Sequence, residues 1–281
     1  MRSPTDLPRR RRSPRGRVIL IAAVVLIFIL ITSLRSLAGF YTDYLWFKEV
    51  HLTQVFRGVL GAEILLAVVF TLLFLVLLWG NLTIADRIAP RFRAMGPEDE
   101  LVQRYRDVVG PHAGKVRIGV AVVFALLTGL GTAGHWNDFI LFRNHTSFGL
   151  KDPQFGKDIG FFVFQLPFLK FVVDWLFVAI VITTVITVVG HYLNGGIRLQ
   201  AQTQRVTPQV KAHISVLLGA LALVKALQYF LDTYDLVLNT SHVVDGATYT
   251  AVHAQLPAKR LLIVISVIAA ALFIYNIRAK G

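Results

Sequence analysis

Six stretches of this chain stay apolar for about twenty residues at a time, which is what a helix needs to cross the hydrocarbon core of a bilayer. They run approximately over 18–38, 58–79, 116–134, 168–191, 212–231 and 261–277. Lipid offers no hydrogen-bond partner to a bare peptide group, so each stretch is predicted to be a helix that satisfies its own backbone. The expected fold is all-α, a polytopic transmembrane bundle of six spans with structured outer loops. Only 16% of the 281 residues are charged and 55% are hydrophobic, whereas a soluble domain carries about a quarter charged residues. The apolar residues are also gathered into blocks, which argues for lipid as the solvent rather than for one large soluble core.

The formal net charge of +13 would suggest nucleic acid in a soluble protein. Here most basic residues flank the apolar blocks, so the bilayer is the expected partner and nucleic acid is not. The absence of Cys excludes disulfides and thiolate metal sites. Residues 1–17 form a basic tail (Arg9, Arg10, Arg11, Arg12, Arg15, Arg17) before the first apolar run. That run is longer than a signal-peptide core and lacks a clean small-residue cleavage site, so it reads as an uncleaved first span. With the N-terminus inside, the inner segments hold about 19 of the 29 Lys and Arg residues, which sets an N-in orientation. The inner loop after the second span is predicted to hold an amphipathic helix. It would start at Pro97 with Glu98, Asp99 and Glu100 in its first turn, and stop at Gly110-Pro111. The outer loops carry Phe155, Phe161, Phe162, Phe164 and Phe168, as in an interfacial aromatic belt. Pro257 is read as a break before the sixth span, and no internal repeat is evident.

Four long stretches carry a resemblance: YTDYLWFKEV at 41–50, KDPQFGKDIGFFVFQLPF at 151–168, KAHISVLLGALALVKALQYFLDTYDL at 211–236 and AVHAQLPAKR at 251–260. They resemble uncharacterised protein family 0182, a group of large bacterial multi-pass membrane proteins. The resemblance implies about seven spans followed by a long extracytoplasmic region, and no established activity. This chain stops after the sixth span, so it corresponds to the membrane portion, without the last span and the exported domain. It also implies a bacterial plasma membrane as the location.

Three ionisable residues fall inside predicted spans: Glu63, Asp174 and Lys225. By residue count each lies roughly 8–10 Å below the outer boundary. Buried charges in a membrane usually face the bundle interior and pair with one another, so a Glu63/Asp174/Lys225 cluster is expected. Its roles range from an ion or proton relay, through a charge network that fixes helix packing, to side chains that snorkel outward. Arg35 lies near the outer end of the first span. On the third span Ala121, Ala125, Gly129 and Ala133 form a small-residue stripe suited to close helix packing.

Other patterns carry less. Gly129-Leu-Gly131-Thr-Ala-Gly134 matches a dinucleotide fingerprint but follows no strand, and Gly110-Pro-His-Ala-Gly114-Lys115 is a mis-spaced phosphate loop. His51, His135, His145, His242 and His253 lack ligand spacing and read as surface histidines. Asp43, Asp138, Asp152, Asp158, Asp232, Asp235 and Asp245 are cation ligands only in the loosest sense, and turn capping explains Asp152 and Asp158 more cheaply. No cofactor, metal or catalytic constellation is therefore expected. Three functions remain in order: an anchor and assembly platform for an exported domain, a transporter or ion-conducting permease, and an envelope- or lipid-acting enzyme. Homo-oligomers and other envelope proteins are the expected protein partners.

Overall fold

The computed structural model describes residues 14–90, 109–197, 205–240 and 245–278. Among them it is helical with no strand, and three isolated bridges lie in loops. Six helical segments are long and apolar enough to cross a membrane. The amphipathic helix predicted around 97–109 falls almost wholly outside the described residues.

The chain divides into two compact units, Met1–Leu60 and Gly61–Gly281. In the first, helix α1 (Pro14–Glu49) runs on through the YTDYLWFKEV stretch that the sequence places outside the span. Its hydroxyls close onto the helix itself: Thr32, Ser36 and Thr42 donate to the carbonyls of Phe28, Thr32 and Ala38, four residues back, at 2.8–3.1 Å. A short turn follows, in which His51 takes φ 58°. Histidine tolerates this left-handed conformation better than bulky or β-branched residues do. Phe56, at the start of helix α2 (Thr53–Arg87), then packs on Phe40, Tyr44 and Phe47 at ring distances of 5.4–5.8 Å. The connection between the first two spans is thus a tight aromatic corner.

In the second unit α2 buries Ala62, Leu66, Phe70, Phe74, Leu78 and Leu82. This four-residue spacing makes one stripe down the helix. Helix α3 (Ala113–Leu130) answers with Ala121, Ala125 and Gly129. Helix α5 (Leu166–Leu193) contributes Ala179 to the same core as Phe74, Leu78 and Ala121. The third span is not one helix. After α3 the chain tightens into a 3-10 turn at Gly131–His135 and resumes as α4 (Trp136–Arg143). Trp136, Phe139 and Phe142 pack there against Leu66, Phe70 and Phe168. Helix α6 (Pro208–Tyr234) packs against both α5 and α7 (Leu256–Arg278).

The sequence hides a repeat that the backbone makes plain. A π-turn at Phe161–Gln165 feeds Leu166-Pro167, and a second π-turn at Ala251–Gln255 feeds Leu256-Pro257. Counterparts lie 90 residues apart: Gln165 and Gln255, Pro167 and Pro257, Asp158 and Thr248, Gly156 and Gly246. Both glycines have positive φ, 64° and 99°, which a Cβ would disfavour. Asp158 Oδ1 accepts from Gly160 N (2.7 Å), and Thr248 Oγ1 accepts from Ala251 N (3.2 Å), so each tethers the start of its turn. Proline has no N–H, and its ring crowds the carbonyl four residues back, so the turn before it opens to the wider π form. Pro257 therefore does not break the chain; it shapes the entry of a continuous helical segment. Phe155 packs against both the Leu166 cluster and the Leu256 cluster, joining the two copies.

Where neighbouring lipid is as apolar as the side chains, helices associate through close packing rather than the hydrophobic effect. At Gly129 an added Cβ would come 2.6 Å from both Cα and N of Thr71 on α2, whereas at Gly131 it would meet nothing within 4 Å. Gly129→Leu should thus destabilise the bundle by at least about 1–3 kcal/mol through overpacking, and Gly131→Leu should change little. Thermal midpoints in detergent would check this; equal loss in both variants would reject the close α2–α3 contact.

Candidate functional site

The ends of α2, α3 and α5 away from the two repeated loops, with the start of α6, bring together polar residues that an apolar bundle must pair internally. His191, two residues before the end of α5, is fully buried, and His213 on α6 nearly so. Their rings stand edge to face, with His191 Nε2 3.0 Å from His213 Nδ1. His213 Nε2 lies 3.0 Å from Asn81 Oδ1 on α2, and Asn81 Nδ2 donates to the Leu77 carbonyl at 2.7 Å.

These contacts fix the protons. A carbonyl only accepts, so the Asn81 amide nitrogen faces Leu77 and its oxygen faces His213. His213 then carries its proton on Nε2. Its Nδ1 is an acceptor when the ring is neutral, so His191 donates from Nε2. The remaining ring nitrogen of His191, Nδ1, is left with a bare lone pair, and it is buried with no partner. One turn on, Asn194 Nδ2 donates to Asp86 Oδ1 at 2.7 Å, and Asp86 is ion-paired with Arg117 of α3. Asp86, Arg117 and Asn194 line one side of a cavity of about 430 Å³, with Leu82, Ile186 and Val189 on its apolar walls.

The three charges singled out in the sequence are arranged differently. Asp174 Oδ1 accepts from Gln228 Nε2 at 2.7 Å, and Gln228 Oε1 accepts from Lys225 Nζ at 3.2 Å. Gln228 thereby bridges the acid and the base. Lys225 also lies over the rings of Phe177 and Tyr229, 5.3 and 4.8 Å from their centroids, a cation–π setting. Asp174 is exposed on the outside of its helix and Lys225 is half-buried. Among the described residues Glu63 makes no hydrogen bond or ion pair with either. Arg35 is exposed on α1. Of the small-residue stripe, Ala121, Ala125 and Gly129 are buried, while Ala133 lies half-buried beyond the point where α3 tightens.

The loop end is held by ion pairs that join Asp232 and Asp235, named in the sequence only as loose cation candidates, to lysines that the sequence reading passed over. Lys170 contacts Asp235 and lies 3.2 Å from Asp232, and Lys259 lies 4.0 Å from Asp232. Those two acids are thus matched by lysines. Asp138 is paired with His135 at 3.0 Å, and the His135 ring stacks on Phe171. Asp152 caps its own turn through Phe155 N at 2.6 Å. Asp158 is a hub that accepts from Ser147 Oγ (2.5 Å), Phe148 N (3.0 Å), Gly149 N (3.0 Å) and Gly160 N (2.7 Å). His145 and His253 are exposed, and His242 lies outside the described residues. His191 and His213 escaped notice because each is a lone histidine in an apolar run. The signal that could have found them is the four-residue spacing of Thr183, Thr187 and His191.

Comparison with known proteins places the whole apolar portion in one group. The profile of the uncharacterised protein family UPF0182 matches residues 19–281. A UPF0182 protein of Frankia casuarinae is 40% identical over 263 residues, 94% of this chain and 26% of that protein. One of Salinispora tropica is 42% identical over 96% of this chain and 27% of its own length, and one of Streptomyces coelicolor is 35% identical over 94% and 27%. The chain thus spans 26–27% of the length of these curated relatives. No solved structure matches.

The hydrogen bond from Ser147, followed by the backbone donors, holds the Asp158 carboxyl below its ordinary pKa of 3.8. A depressed folded-state pKa gives stability that is present above the unfolded value and lost as pH falls through the folded one. The loop over 144–160 should therefore stay ordered down to the ordinary carboxylate range and loosen below it. Asp158→Asn should loosen it at every pH. Amide exchange at Phe148, Gly149 and Gly160 across that range would check both; protection independent of pH and of the substitution would discard the hub.

Proposed function

The chain belongs to the uncharacterised protein family UPF0182, and we propose that it is the membrane-embedded platform on which the rest of a longer protein is assembled. In this reading it is a multi-pass protein of a bacterial plasma membrane with its N-terminus inside. The observation that carries the proposal is the preorganised loop end. Lys170, Asp232, Asp235 and Lys259 tie α5, α6 and α7 together there. Phe155 joins the two repeated loops over the same helix ends. A rigid face built at one end of a bundle suits attachment of further chain or of envelope partners, because ordering costs are met before anything docks. The curated relatives have three quarters of their length beyond the matched part, which is material for such a platform to carry.

A permease is the second reading, favoured by the Asp174–Gln228–Lys225 chain, since polar groups inside spans often mark ion paths. The side of Asp174 that faces out of the bundle counts against a central path through it.

Proteoliposomes separate the two. A platform should hold imposed proton and potassium gradients as protein-free vesicles do, and Lys225→Met should change nothing. Gradient collapse by the wild type, abolished in an equally incorporated Lys225→Met protein, would replace the platform with a conducting site. Independently, Lys170→Met should lower the thermal midpoint by a few degrees. It leaves Asp232 and Asp235 without their shared cation, which costs about 1 kcal/mol at this partly exposed site. An unchanged midpoint would show that the loop end is not tied in this way.

A further inference from the structure

Helix α5 carries three polar side chains on one face, Thr183, Thr187 and His191, and all three are fully buried. Their spacing puts successive groups about 6 Å apart along the helix axis. None of Thr183 Oγ1, Thr187 Oγ1 and His191 Nδ1 has a hydrogen-bond partner. A threonine in a helix ordinarily donates to the carbonyl four residues back, and Thr184 on the same helix does so, to Ile180 at 2.7 Å. Thr183 and Thr187 make no such bond. The hydroxyl of Thr207, the residue just before α6, is likewise buried without a partner, and the Thr207 backbone N–H donates to Gly196 O. The Gly196 N–H in turn donates to the carbonyl of His191 at 2.8 Å. Buried polar atoms left unpaired are costly, and in native proteins such atoms are commonly satisfied by internal water.

We propose that the His191 Nδ1 lone pair and the hydroxyls of Thr187 and Thr183 form an internal water- and proton-binding site, in which the His191–His213 pair takes up a single proton. The geometry says where the proton goes. At neutral charge every other nitrogen of the pair is committed: His213 Nε2–H to Asn81, and His191 Nε2–H to His213 Nδ1. The lone pair on His191 Nδ1 is the free base of the chain. Hydronium in the site passes one proton to that nitrogen and remains as water. The new imidazolium keeps its bond to His213 and gains a second donor, aimed at that water. A second proton would have to break the His191–His213 bond, so the pair holds one.

Of the charged groups on the neighbouring helices, Asp86 on α2 is ion-paired with Arg117 on α3. From α6 the titratable neighbour is His213 itself, while Lys211, two residues before it, is exposed. Asp86 also lines the cavity between α2, α3 and α5, whose wall includes Gly190, the residue next to His191. The site goes beyond the platform reading and does not rest on it, because holding a proton requires no path across the bundle.

The test is NMR of the full chain in lipid nanodiscs with 15N-labelled histidine. At neutral pH both rings should carry their proton on Nε2, and His191 should show a cross-peak to water. On acidification one proton, and no second, should add to the pair, at Nδ1 of His191. Thr187→Val, nearly isosteric, should weaken or remove the water cross-peak while leaving both tautomers unchanged. A proton on Nδ1 of His191 at neutral pH, no water contact in the wild type, or a pair that stays neutral until the protein unfolds would each overturn the proposal. A purely packing role for the histidines gives the last two of those results.

Discussion

Polar groups that enter the apolar layer of this bundle are costly unless satisfied inside it, and that requirement arranges most of what is seen. For the backbone it leaves only helix. For side chains it has three outcomes. Hydroxyls such as Thr32, Thr42 and Thr184 fold back onto their own helix. Asn81, His213 and His191 link α2, α6 and α5 in a directed chain. Trp175 reaches across from α5 to the Thr128 carbonyl, close to where α3 tightens into a 3-10 turn. The second and third outcomes hold helices in register, which apolar packing by itself does weakly when lipid competes for the same surfaces.

Charge is segregated by the same rule. The ion pairs that join helices lie toward their ends: Lys170 with Asp232 and Asp235 at the loop end, and Asp86 with Arg117 at the other. At such positions water offsets part of the desolvation cost that a mid-span pair would bear in full. Further from the ends, amides make the links, as Asn81 does to His213 and Gln228 to Asp174. The ammonium of Lys225 is covered by Phe177 and Tyr229 and reaches Asp174 through the Gln228 amide.

The helical class and the six apolar segments were legible because they follow from run length and composition, which need no knowledge of neighbours. Of the small residues read as a stripe, Ala121, Ala125 and Gly129 are buried on α3. Helix ends were not legible. Residues 41–49 are polar enough to read as loop, yet Phe56 folds back on Phe40 and Phe47 and keeps the helix going. The histidine chain was invisible because Asn81, His191 and His213 are far apart in sequence and each looks ordinary alone. Gln228 was missed since an uncharged amide draws no attention, although it makes the contact between Asp174 and Lys225. The repeat was missed because few residues in it are shared. What its copies have in common is a glycine in the left-handed region, a capping oxygen and a proline, and most of the other side chains differ.

That repeat separates two tasks that a membrane protein usually has to solve together. The manner in which a chain turns from loop into span is set by a handful of positions around Gln-Leu-Pro, and these recur. The intervening surface is free to differ, and does: one copy gathers four donors onto Asp158, while the other uses a single hydroxyl at Thr248. The arrangement amounts to a constant frame bearing two variable inserts. New recognition could therefore arise in one insert while its twin keeps the old shape, and neither change would disturb the register of the helices beneath.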